Sequence, residues 1–166
     1  MRKYIAILGT LLIATILLSG SAIATWYYAG NVYIEGDCEN SEYALGEPNF
    51  QYATVGTNDP DPAIGDLWLD FGFGGIPKGQ LVWVYGWYGG GILEYYRVDV
   101  YANDGETSCS GGSYISDQIN HSFYTGSYLP TGLYWKFVRI QGETGSTGPS
   151  DTIYGPEIDA VGFEIP

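Results

Sequence analysis

Basic residues, histidine and cysteine are scarce in this chain of 166 residues, and each scarcity removes a class of function. Six Lys and Arg stand against 19 Asp and Glu, a formal net charge of −13. Such a surface repels nucleic-acid phosphates and anionic membranes, so neither is expected as a partner. His121 is the one histidine, and a Ser-His-acid arrangement would rest wholly on it. No motif among the many carboxylates singles out a glycosidase pair. Two thiols and one imidazole are too few for a structural zinc site. After residue 24 no stretch has helical periodicity, and no internal repeat or linker divides the chain.

The first residues differ in kind from the rest. Met1-Arg2-Lys3 is a short basic head, Ile5 to Leu18 is apolar except at Gly9, Thr10 and Thr15, and Ala22-Ile23-Ala24 has the small-x-small form of a cleavage site. This pattern predicts a secretory signal peptide over residues 1–24 and a single domain over residues 25–166. The apolar run is shorter than the ~20 residues that span a bilayer, so no membrane insertion is expected after cleavage. In an exported chain Cys38 and Cys109 are expected to form one disulfide. It would close a loop of about seventy residues and stabilise by roughly 4 kcal/mol in the chain-entropy model.

Short strand-like runs fill the remainder. The clearest is Leu81 to Trp87, where Val82, Val84 and Gly86 alternate with Trp83, Tyr85 and Trp87. A second run has Tyr96, Val98 and Val100 alternating with Arg97, Asp99 and Tyr101, and ends in the hairpin signal Asn103-Asp104-Gly105. This period of two marks half-buried antiparallel strands. Similar runs lie at 26–28, 32–34, 50–55, 67–71, 134–140 and 158–165. In the last of them Asp159 alternates with Val161, Phe163 and Ile165. Cys109 to Gly112 reads as a loop of small residues. Many short strands separated by turn signals predict an all-β antiparallel sandwich.

Several of these pieces stand in a family's order: Ala44-Leu45-Gly46-Glu47-Pro48-Asn49, Asp66-Leu67-Trp68-Leu69-Asp70-Phe71-Gly72, Glu94 to Val100 followed by Asn103-Asp104-Gly105, Lys136-Phe137-Val138-Arg139-Ile140, and Glu157-Ile158-Asp159-Ala160-Val161. Over about residues 43–163 the chain resembles secreted galactose-binding-like jelly-roll domains, relatives of the discoidin and coagulation-factor type C modules. It departs from their pattern after the Asp-Gly turn, where Cys109 lies near the usual tryptophan position, and in a long Gly/Ser/Thr loop before Glu157. The resemblance implies a jelly-roll sandwich and a structural calcium where the loop after the first strand meets the last strand. The oxygen donors there are Asp37, Glu39, Glu47, Asn49, Glu157 and Asp159. Asp159 on a core-directed face needs a partner, either a cation or capped backbone amides.

Aromatic residues are the second constellation, with 16 Tyr and 5 Trp. Trp83, Tyr85, Trp87 and Tyr88 lie together, and such rings stack on the apolar faces of sugars while nearby carboxylates or amides bind hydroxyls. The same rings also suit core packing or a subunit contact. Asn120-His121-Ser122 is an N-glycosylation sequon and, if used, predicts an exposed loop. The leading expectation is a non-catalytic module, secreted or at the cell surface, that binds carbohydrate or another cell-surface polymer. A self-associating envelope or filament subunit and a small secreted glycoside hydrolase are the alternatives.

Overall fold

The computed structural model describes residues 24–56, 65–87, 95–115, 120–143 and 155–165. The expected signal peptide and Tyr88 lie outside them. Eleven strands are defined among the described residues: β1 (Thr25–Tyr28), β2 (Asn31–Gly36), β3 (Cys38–Glu39), β4 (Ala53–Val55), β5 (Asp66–Asp70), β6 (Leu81–Trp87), β7 (Tyr95–Ala102), β8 (Ser108–Ile115), β9 (Asn120–Tyr124), β10 (Trp135–Glu143) and β11 (Glu157–Ile165). A single 3-10 turn covers Ser41–Ala44. One sheet has the order β3-β4-β11-β6-β9, with β1 also paired to β11; the other has the order β2-β5-β10-β7-β8. All pairings are antiparallel. The two sheets face each other as the expected β-sandwich, with the chain passing repeatedly from one to the other in the manner of a jelly roll.

Alternation decides which residues lie between the sheets. Val82 and Val84 of β6, Leu67 and Leu69 of β5, Val98 and Val100 of β7, and Val138 and Ile140 of β10 are all fully buried. Trp135 closes one end of this core, its indole N–H donating to the Gly126 carbonyl at 2.8 Å. The Asn103–Gly105 turn joins β7 to β8 as expected. Gly105 takes φ 74°, and the Asp104 carboxylate accepts from the amides of Glu106 and Thr107. Runs β6 and β7, adjacent in sequence, lie in opposite sheets.

Three expectations are corrected. Residues 109–112 belong to strand β8 and are not a loop. Small residues are required there, because a Cβ on Gly111 would come within 3.0 Å of the Phe123 ring and 3.1 Å of the Val98 carbonyl. The alternation expected through β11 breaks at Asp159. Ile158 pairs with Gly86 and Ala160 with Tyr85, so Asp159 is the extra residue of a β-bulge, and Ile158, Val161 and Phe163 are the core residues.

The third correction concerns the disulfide: Cys38 and Cys109 are free thiols. Cys38 lies on the edge strand β3 of one sheet, and Cys109 on β8 at the opposite edge of the other. At ~4.8 Å per strand the two are several strand spacings apart, well beyond the ~7 Å Cα limit for a bridge. The Cys38 thiol instead donates to the Gly36 carbonyl at 3.1 Å, and the Cys109 sulfur accepts from the Gly126 amide at 3.2 Å. Burial pushes the Cys38 thiol up to about 11 and raises Cys109 as well, so neither is a ready thiolate.

Candidate functional site

The regularity of β6 sends Trp83 and Tyr85 away from the core, onto the outer face of the first sheet. Position 87 is paired with Glu157 in the ladder. On the β11 side Trp83 is paired with Gly162 and Tyr85 with Ala160, two positions with almost no side chain. On the β9 side Trp83 faces Ser122 and Tyr85 faces Asn120, both exposed. Strand β1 then adds residues that the sequence did not single out. Trp26 and Tyr28 are stacked, with centroids 6.0 Å apart, and Trp26 meets Tyr85 edge-on at 6.1 Å. The Tyr28 ring lies directly over Gly162.

The result is an aromatic face on a floor of Ala160 and Gly162, with acidic groups beside it. Burial and the Glu47 carboxylate raise the Tyr28 phenol above its ordinary value; burial, Tyr28 and Glu164 raise Tyr85. Both hydroxyls therefore stay protonated and able to donate across neutral pH. The period-two spacing of Trp26 and Tyr28 was visible in the sequence. That β1 pairs with the far half of β11 was not, because that pairing joins the two ends of the domain.

The residues proposed for calcium are brought together only in part. Asp159 Oδ1 accepts from the Asn49 amide at 2.9 Å and Oδ2 from the Phe50 amide at 3.2 Å. The Asn49 side-chain oxygen accepts from the Gln51 amide at 2.8 Å. Asp37 sits at φ 47° and its carbonyl accepts from the Gly56 amide. Strand β4 pairs with β11 only at Glu157 and Ile158, and β1 takes over at Gly162. The bulged Asp159 fills the gap between them by capping the loop at Asn49–Phe50. Backbone N–H groups are what this carboxylate meets. Among the described residues no group of three or more His, Cys, Asp and Glu side chains is placed to hold a metal ion.

Glu157 is different. Its Oε2 is buried with no hydrogen-bond partner among the described residues, and burial raises its carboxyl above the ordinary range. The sequon lies on strand β9 and not on a loop, with Asn120 exposed and His121 on the core side. His121 is buried beside the rings of Tyr96 and Tyr114, at 5.6 and 4.4 Å, and does not reach either outer face. Among the described residues no helix is long and apolar enough to cross a membrane.

No protein-family model matches the chain, and no curated protein matches it in sequence. Among solved structures it is similar to CBM29_1, a family 29 carbohydrate-binding module from Piromyces equi. That likeness has 12% identity and a TM-score of 0.46, and covers 86% of this chain and 91% of that one.

Proposed function

We propose that the chain is a non-catalytic saccharide-binding module, exported by its basic and apolar leader, whose binding surface is the outer face of β1, β11 and β6. One observation carries the reading. Trp26, Tyr28 and Tyr85 are gathered on one sheet face, where the small, covered Ala160 and Gly162 let the rings lie close against β11. An aromatic surface favours the apolar face of a pyranose, while the tyrosine hydroxyls, Asn120, Ser122, Glu47 and Glu164 supply donors and acceptors for its hydroxyls.

A glycan array probed with the wild-type chain and with Tyr85→Ala tests this. The wild type is expected to bind a selective set of saccharides. Tyr85→Ala should weaken that binding about tenfold, the equivalent of roughly 1.4 kcal/mol of lost stacking, with an unchanged melting temperature. Undiminished binding by both Tyr85→Ala and Trp26→Ala would exclude this face.

A further inference from the structure

The opposite side of the sandwich carries a second aromatic surface of different chemistry. On the outer face of the second sheet, Trp68 of β5 packs against Tyr101 of β7 at 4.4 Å, and Tyr33 of β2 stacks on Phe137 of β10 at 4.4 Å and 25°. Tyr33 is about half exposed, at 56%. These rings come from four strands, and two residues of the surface are placed by β-bulges. Tyr33 is the extra residue between Val32 and Ile34, and Lys136 the extra residue between Trp135 and Phe137. Bulges re-aim side chains, and they concentrate beside functional sites.

Charge is organised as unusually as the rings. Beyond the leader the basic residues of this acidic chain are Lys78, Arg97, Lys136 and Arg139, and the last three all belong to this sheet. Each is matched to a carboxylate. Arg139 donates two hydrogen bonds to Asp66 at 2.7 and 2.8 Å and lies 5.5 Å over the Trp68 ring, with the Tyr101 hydroxyl as a further acceptor. Arg97 meets the buried Asp99 at 2.8 Å, and Lys136 meets Asp70 at 3.4 Å. The carboxylates of these pairs are largely shielded, with Asp99, Asp70 and Asp66 side chains 6%, 15% and 27% exposed. The pairs hold donors and acceptors in fixed positions among the rings.

The Trp68 indole N–H is buried and has no acceptor among the described residues. An unmet buried donor costs stability, and Phe137 beside it shows that a ring without one fits this surface.

We infer that the outer face of β2, β5, β10 and β7 is a further binding surface, for a neutral saccharide chain. The matched pairs leave the patch locally neutral on a protein of charge −13, so an anionic ligand or a second copy of this chain meets repulsion from the rest of the molecule. A neutral polyhydroxyl ligand does not. It presents apolar ring faces to Tyr33 and Tyr101, and hydroxyls that accept from Arg97 and donate to Asp66. The inference goes beyond the first face and does not require it.

Affinity electrophoresis of the full chain separates the two. The gels would contain hydroxyethylcellulose, xyloglucan or galactomannan as neutral probes and polygalacturonate as the anionic one. The proteins would be wild type, Tyr85→Ala, the double variant Tyr33→Ala/Tyr101→Ala, and the triple combination, each checked for an unchanged near-ultraviolet spectrum. Should the double variant unfold, Arg97→Gln replaces it, since that guanidinium is half exposed. The expected result is retardation by a neutral gel that the double variant weakens about tenfold and only the triple variant abolishes. Retardation of the double variant equal to wild type, with loss in Tyr85→Ala, overturns the second surface and leaves the first intact. Loss in the double variant alone supports the second surface and removes the first. Stronger retardation by polygalacturonate overturns the neutral ligand, and no retardation by any neutral gel overturns both surfaces.

Discussion

The two outer faces of this sandwich are both aromatic, yet they differ in how charge is arranged around the rings. On the β1-β11-β6 face Trp83 and Tyr85 of β6 point outward because Val82 and Val84 point inward, and the bulge at Asp159 of β11 sets the small, covered Ala160 and Gly162 beneath the rings. The β2-β5-β10-β7 face is made by irregularity, with Tyr33 and Lys136 supplied by bulges. The first has only carboxylates, amides and hydroxyls around its rings, and the second has three cations paired to three carboxylates. An acidic protein has thus gathered most of its positive charge on one side of itself. The shielded carboxylates fix the three cations in place among the rings.

The most severe way to break the comparison is to fill the floor of one face. A Cβ at position 162 would lie 2.5 Å from the Tyr28 ring and 2.9 Å from the Tyr27 carbonyl, so β1 itself has to move. Gly162→Val is expected to lower stability by about 1–3 kcal/mol, read as a shift in the denaturation midpoint, and to abolish saccharide binding at the first face. Retardation that depends on Tyr33 and Tyr101 should survive. A Gly162→Val protein with wild-type stability would mean that Tyr28 does not pack on this floor.

A second test uses the sequon. Asn120 stands opposite Tyr85 in the ladder, and directly opposed side chains on a sheet face lie ~5 Å apart. A glycan on Asn120 would therefore stand beside the first binding face and leave the second untouched. Protein made in a glycosylating host should lose binding that depends on Tyr85, about tenfold or more, and Asn120→Gln from the same host should restore it. Equal affinity of the glycosylated and unglycosylated forms would show that Asn120 and the ligand do not share that surface.

The difference between the faces also decides what could be read in advance. Strand β6 was legible because an unbroken period of two assigns every side chain once one face is known to be buried, and the core residues of β5, β7 and β10 followed from the same rule. The second face was not legible. Tyr33, Trp68, Tyr101 and Arg139 are distant in sequence, and a one-residue bulge at Tyr33 leaves no trace in composition while reversing which side chains point outward. Strand β8 was hidden by its own glycines and serines, whose role is to let Phe123 and the Val98 carbonyl approach. The disulfide failed for a similar reason. Cysteine counting says nothing of sheet edges, and Cys38 and Cys109 lie on opposite ones. At Asp159 the sequence offered capped amides as one partner, and the Asn49 and Phe50 amides take that place.

The smallest effect concerns the acidic margin of the first face. Glu157, opposite Thr54 and position 87, has a buried oxygen without a partner, and burial raises its carboxyl above the ~4.3 of an unperturbed glutamate. Between those two values the folded chain binds a proton that the unfolded chain has released, so stability falls as pH rises. The contribution of the protonated form is complete below the unfolded value and is lost as pH passes through the folded one. Glu157→Gln removes the charge that burial penalises and retains a donor and an acceptor. Its melting temperature should exceed that of the wild type by a small margin at pH 7 and by less at pH 4, where the native carboxyl is already neutral. A constant difference between the two proteins across that range would mean that Glu157 is solvated in the folded chain. Arg139 and Asp66 on the other face provide the contrast, since Asp66→Asn there strands a guanidinium and is expected to destabilise where Glu157→Gln stabilises.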